Sequence, residues 1–254
     1  MIYTIAQHEL SAFFKTGKIW KLLALCQCIL GLIFYWLIQD FLFKSQKLLI
    51  EQNSSFGITE EVIHPLLAWT ALFFFFITPL LATSSLTQER KSHTLELYLI
   101  SPISTTDIIL GKFLGSTFAQ IFLLFPVLVM PLFITLHDRL DIGQFMTGLL
   151  GLVLLLTTSL SLGFFISSFS KEPLIAALVI FISLFLLSLL EWGVRFISPY
   201  ISWLAELALL YHCKNFLSGV INSRDVLYYV LTTIFFLYLS VIRLNQEAIF
   251  KGNT

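Results

Sequence analysis

Charge is what this sequence has least of. Only 12% of its 254 residues are Asp, Glu, Lys or Arg, where a soluble domain carries about a quarter, so an ordinary soluble globular domain is excluded. The net charge is zero and the fifteen basic residues come in small groups, which excludes the basic block of a nucleic-acid binder. Three cysteines are present, Cys26, Cys28 and Cys213. They suggest no disulfide framework, and Cys26 and Cys28, two apart inside an apolar run, have neither zinc nor redox spacing and read as packing residues. There is no G-x-x-x-x-G-K-[ST]: Gly17-Lys18 and Gly111-Lys112 each precede an apolar residue and lack the upstream glycine, so the chain has no phosphate cradle of its own. H-E-x-x-H, G-x-S-x-G and paired mid-span carboxylates are missing too, which leaves a membrane enzyme without a recognisable catalytic set and the chain without a metal site. Asp40, Glu191, Arg195, His64 and His137 all fall near the ends of apolar runs. No ladder of ionisable groups sits at mid-depth, which counts against a proton- or ion-coupled carrier. Glu191 and Arg195 form an i, i+4 pair that reads as an interfacial bridge, with a substrate site as the competing reading. The N-terminal stretch is too polar for the apolar core of a cleavable signal.

Long apolar runs are what is there. The chain is 57% hydrophobic with a mean hydropathy of +0.90, and several runs reach the roughly twenty residues that a helix needs to cross a bilayer. Six spans are expected, at about 19–43, 64–87, 108–136, 144–169, 173–194 and 225–244. Their hydroxyl residues, Ser159, Ser161, Ser167, Ser168, Ser183 and Ser188 among them, read as interhelical hydrogen-bonding and close-packing positions. Before the first span, residues 1–18 place Ile2, Ala6, Leu10, Phe13 and Phe14 near helical spacing, with Glu9 on another face. This is the pattern of a helix lying in the membrane interface, a cytosolic tail being the alternative. If both termini share a side with residues 88–107 and "SKEP", that side holds nine of the fifteen Lys and Arg residues and the other six, so the termini are expected in the cytoplasm.

The connection between spans two and three is the most polar stretch. Glu89, Arg90, Lys91 and His93 fill one turn; Leu95, Tyr98 and Leu99 then share a helical face, with Glu96 among them. The spacing predicts a short amphipathic helix on the membrane surface, stopped at Ser101 by Pro102. Ser104, three before Asp107, predicts an N-cap for the next span. Composition leaves two uses open, a docking face or a re-entry loop that anchors two spans.

At this point a resemblance appears. "QERKSHTLELYLISPISTTDIILGKFLG" resembles the signature of type-2 ABC export permeases at Glu89, Arg90, Thr94, Leu95, Glu96, Leu99, Ser101, Pro102, Ile109, Gly111 and Lys112, with His93 where the family has Gly. A second stretch, "YHCKNFLSGVINSRDVLYYV", is similar to a motif of the gliding-motility and copper-enzyme-maturation branch at His212, Phe216, Gly219, Val220, Ile221, Arg224, Asp225 and Tyr228, with Asn222 in place of the usual Asp.

The resemblance implies an all-α integral inner or plasma membrane protein, a single permease domain over residues 1–254 with six transmembrane helices, an N-terminal interfacial helix, a cytosolic coupling helix between spans two and three, and short extracytoplasmic helices between spans five and six. It implies an exporter in which two cytosolic ABC ATPase subunits carry ATP and Mg, this chain binding no cofactor itself and pairing with a second permease, identical or related. Glu89, Arg90, Lys91, His93, Thr94, Leu95, Glu96, Leu99, Ser101 and Pro102 would form the ATPase-coupling element. His212, Phe216, Gly219, Arg224 and Asp225 would lie in an extracytoplasmic gate, or in a lid that seals the permease pair. A non-transporting scaffold, or an assembly factor transmitting force on the same fold, is the alternative. The spans hold no charged pocket, which favours lipid-like or amphipathic cargo.

Overall fold

The computed structural model describes residues 1–51, 58–92, 94, 103–135, 141–197 and 206–252. All of its regular structure is helical, and no strand occurs among the described residues. Six helical stretches are long and apolar enough to cross a membrane: Ile19–Lys44, Thr59–Lys91, Thr105–Pro131, Ile142–Ser167, Pro173–Leu190 and Ser223–Glu247. The chain is an integral, multi-pass membrane protein.

In chain order, α1 (Ile2–Lys15) turns at Gly17, φ +66°, into α2 (Lys18–Glu51). A π-helical turn (Thr59–Ile63) leads into α3 (His64–Ser85), and a short α4 (Thr87–Lys91) follows. The third crossing is built from α5 (Thr105–Leu123) and α6 (Phe125–Thr135), the fourth is α7 (Ile142–Ser167) and the fifth α8 (Pro173–Ile197). A nine-residue α9 (Leu209–Leu217) precedes the last helix, α10 (Ser223–Gly252). The third crossing is therefore divided at Leu124. Pro126 has no N–H to continue the backbone ladder, and its ring clashes with the preceding turn. The first span does not stop with its apolar run either. Beyond it Lys44 pairs with Asp40 at 2.8 Å and with Glu61 at 2.9 Å, tying α2 to the π-helical turn.

The six spans differ in depth. α3, α5 and α7 are the most buried, whereas α2, α8 and α10 keep most of their apolar surface exposed, with Trp20, Leu32, Trp36, Leu174, Leu186, Ile234 and Tyr238 facing outward. A helix apolar on all sides belongs in lipid or against another apolar helix. Polar side chains bind two of the inner three together: Ser85 and Ser116 share a hydrogen bond of 2.7 Å, and Gln120 Nε2 donates to Thr78 Oγ1 at 2.8 Å, both between α3 and α5. Most span serines behave differently from the expectation. Ser159, Ser161, Ser168, Ser183 and Ser188 each bond a carbonyl of their own helix, which satisfies the hydroxyl without a neighbour. Their small size remains the contribution to packing. The Glu191/Arg195 pair and His137 fall where side chains lie outside the described residues.

Two ends of the bundle are distinguished by their hydrogen bonds. At one, the Asp141 N–H donates to Thr59 Oγ1, and Thr147 Oγ1 bonds the Phe216 carbonyl at the foot of α9. At the other, Thr87 Oγ1 bonds the Ser167 carbonyl, and the end of α10 meets α4. The first end carries α9; the second carries α1, α4 and the charged segment.

Candidate functional site: the charged elbow after the second span

The connection from α4 to α5, residues 92–104, is here termed the elbow, and its near foot is a run of three charges that diverge. Glu89, Arg90 and Lys91 stand on consecutive positions, so helical geometry sends them about 100° apart, and each meets a different element. Glu89 turns inward: Lys112 Nζ, on α5, donates to Glu89 Oε1 at 2.6 Å and to Glu9 Oε2 of α1 at 3.2 Å. Arg90 Nη2 donates to Glu247 Oε2 of α10 at 2.7 Å. Lys91 Nζ reaches Glu172 Oε2, in the turn before α8, at 2.8 Å. The Ser92 and Thr94 hydroxyls both return to the Glu89 carbonyl, at 3.1 and 3.2 Å, and give the last turn of α4 its cap. At the far foot Ser104 Oγ accepts the Asp107 N–H at 3.1 Å, the cap that the Ser104/Asp107 spacing predicts.

These ties differ in worth. The Lys112 side chain is 1% exposed and Glu9 8%, so both ions have given up their water, and the arrangement is tolerable because Lys112 stands between two carboxylates, Glu9 and Glu89. Lys91 and Glu172 are more than half exposed, and such a pair adds little. The Arg90–Glu247 pair lies between, at 12% and 20%.

Lys112 and Glu9 meet because two glycines allow it. A Cβ on Gly111 would lie 2.7 Å from Ile5 Cβ and 3.0 Å from the Ile2 carbonyl oxygen. One on Gly115 would lie 2.8 Å from both the Ala6 carbonyl oxygen and Glu9 Cβ. Gly111-x-x-x-Gly115 is a small-x-x-x-small seam that lets two helix backbones approach closely. The buried stripe of α1 is Ile5, Ala6, Glu9 and Phe13. This corrects the expected apolar face of residues 1–18: Glu9, read as lying off the buried side, is at its centre, because Lys112 supplies the counter-charge.

Of the residues expected in the coupling element, Glu89, Arg90, Lys91 and Thr94 are brought together at the near foot. His93, Leu95, Glu96, Leu99, Ser101 and Pro102, and the amphipathic helix expected over them, lie outside the described residues. The residues that the sequence alone does not pick out are the partners Glu9, Glu172 and Glu247, and Asn245, whose Oδ1 accepts from Thr105 Oγ1 at the far foot.

The second group of expected residues gathers at the opposite end of the bundle. His212, 3% exposed, has Nδ1 at 2.6 Å from Asp225 Oδ1 and Nε2 at 2.8 Å from the Glu206 carbonyl oxygen. Asn215 Nδ2 donates to the other Asp225 oxygen at 2.7 Å. The Tyr228 ring stacks on the imidazole at 4.1 Å, and the fully buried Tyr229 sends its hydroxyl to the Leu209 carbonyl at 2.6 Å. Phe216 is buried against Gly151, where a Cβ would come within 2.4 Å of Phe216 Cβ. Gly219, φ +83°, ends α9 in the left-handed conformation usual after a helix. Asn222 Oδ1 accepts the Arg224 N–H and opens α10, a task that Asn performs as well as the Asp usual there. Arg224 pairs with Glu206 at 2.5 Å on the surface. Burial pushes the Cys213 thiol from its ordinary 9.0 up to about 12. Both oxygens of Asp225 and both ring nitrogens of His212 are thus used to join α9 to its neighbours.

Among the described residues no group of three or more His, Cys, Asp or Glu side chains is gathered to hold a metal ion. The sequence profile of one family, described as "ABC-2 family transporter protein", matches residues 3–247. No curated protein matches the chain.

Proposed function

The chain belongs to the ABC-2 transporter family, and from that premise we propose that it is the permease subunit of an ATP-driven exporter. Permeases of this family are the membrane component of ABC systems and generally work with cytosolic ATPase subunits. In the proposed assembly two such subunits, carrying ATP and Mg, seat on the elbow after the second span, and a second permease, identical or related, completes the pathway. The elbow and both termini then lie in the cytoplasm, and the His212 cluster lies outside it. The observation that carries this reading is the family match, which extends over all six crossings and both motifs. The missing phosphate cradle supports it, because energy must then come from another chain.

The ion pairs refine the reading of the elbow. Glu89, Arg90 and Lys91 are each engaged within the chain, so they set the base of the elbow. Contact with the ATPase then falls to the residues after them, from His93 to Pro102. Movement of that contact reaches α1 and α5 through Lys112, and α10 through Arg90. The export substrate belongs to the space between two permeases. At the other end, the His212 cluster fastens α9 as a lid.

Affinity purification of the tagged chain from its native membrane in mild detergent tests the proposal. An ATPase subunit with a Walker motif is expected to accompany the chain and to hydrolyse ATP in the purified complex. Recovery of the chain without such a subunit overturns the reading.

A further inference from the structure

The last helix ends by touching both feet of the elbow. α10 has 30 residues, about 45 Å at 1.5 Å per residue, against roughly 30 Å of hydrocarbon. Its apolar stretch closes at the buried Leu244, and Asn245, Gln246 and Glu247 follow. Glu247 holds Arg90 at 2.7 Å. Asn245 Oδ1 accepts a hydrogen bond from Thr105 Oγ1. Arg90 lies at the end of α4 and Thr105 is the first residue of α5, so these two contacts lie on either side of the elbow, residues 92–104. Just before them Arg243 lies 5.0 Å over the Phe169 ring, at the end of the fourth crossing.

Nothing in the span itself requires this. A helix that only had to cross the bilayer could stop at Leu244. The three residues that follow it are polar, and Arg243, Asn245 and Glu247 each meet a different part of this end of the bundle. Arg90 and Glu247 are mostly withdrawn from water, so each charge depends on the other. Their separation in sequence is 157 residues, and the pair ties the near foot of the elbow to the opposite end of the chain.

We infer that residues 243–247 form a clamp that holds the two feet of the elbow in fixed relation, with Arg90 and Glu247 as its positioning pair. The consequence for transport rests on the permease reading above. With Arg90 and Thr105 both held to α10, a push from an ATPase reaches the third and sixth crossings together; with the clamp released, the sixth crossing no longer shares it.

The test uses the full chain in lipid nanodiscs, as wild type, Glu247→Gln, Arg90→Glu, Glu247→Arg and the double reversal. Two quantities are read: hydrogen–deuterium exchange of peptides covering the two feet, residues 87–92 and 103–108, and ATP hydrolysis by the complex that co-purifies with the chain. Exchange at both feet is expected to rise about tenfold in the single variants, within the range for coupled sites. ATP turnover falls with it, and the double reversal restores both. Glu247→Gln keeps the side-chain shape and serves where a reversal prevents folding. Unchanged exchange in a folded Glu247→Gln protein, or no recovery in the double reversal, overturns the clamp. A wild-type chain that brings no ATPase overturns the permease reading instead, and the exchange measurement still decides the clamp.

Discussion

Lys112 places one ammonium between two carboxylates where almost no water reaches. Removing one member of a buried ion pair costs about 3–5 kcal/mol, because the remaining charge loses its partner but not its burial. Lys112→Met is expected to lower stability by about that much, since Glu9 and Glu89 would then face one another. Glu9→Gln should cost less, because Glu89 still answers Lys112. Thermal melting in a fixed detergent measures both. Cys213 gives a pH dependence. Its thiol is held up to about 12 in the folded chain against an ordinary 9.0, so the folded state keeps its proton longer than the unfolded one. That contribution is complete below about pH 9 and is lost as pH climbs toward 12. Wild type should therefore lose more stability across that window than Cys213→Ala, and equal losses would contradict it. At this scale the sequence was a partial guide. The residues around His212 announced themselves as a motif. Glu9, Glu172 and Glu247 did not, because a charge near an apolar run looks the same whether it faces water or a partner far along the chain.

The seam between α1 and α5 sets two rules against each other. Helix propensity favours Ala over Gly in a helix by about 1 kcal/mol, so on local grounds Gly115→Ala should stabilise. The packing says the reverse, since the new Cβ would sit 2.8 Å from a backbone oxygen of α1 that cannot rotate away. Overfilling of this kind costs about 1–3 kcal/mol, and a lower melting temperature for Gly115→Ala is the expected outcome. Gly219→Ala is also expected to destabilise, by about 1 kcal/mol, because φ +83° places its Cβ against the following carbonyl. Crossings of this length and hydropathy were legible in the sequence, since bilayer thickness imposes both. The division of the third at Leu124 was not, although Pro126 stood in view, because a hydropathy run records no missing N–H. The docked face of α1 was hidden for a related reason. Amphipathic spacing marks apolar positions and is silent about a polar one whose partner lies on another helix.

For the molecule as a whole, orientation is the first thing to test. Of the nine basic residues placed on the elbow side, Arg90, Lys91 and Lys112 have acidic partners. On the other side Lys44 pairs with Asp40 and Glu61, and Arg224 pairs with Glu206. Acidic residues contribute little to insertion, so the count still favours the elbow side. A tag added at the C-terminus of the chain should resist protease in sealed right-side-out cells and be cut in inverted vesicles. Cleavage in the opposite pattern would reverse the proposed topology. The apolar faces of α2, α8 and α10 surround the buried helices, and a second permease would have to use part of that surface.

The tie between Glu9 and Lys112 also dictates an order of assembly. Its partners are 103 residues apart, and a ribosome adding about 5–20 residues per second leaves the first waiting roughly 5–20 s for the second. Throughout that interval α1 has emerged with neither its counter-ion nor its glycine seam. It must stay at the membrane surface with Glu9 in water until the third crossing is delivered. Nascent chains stalled before residue 111 should therefore leave α1 open to protease, and chains extended past the third crossing should protect it. The N-terminal helix is made first and seated late.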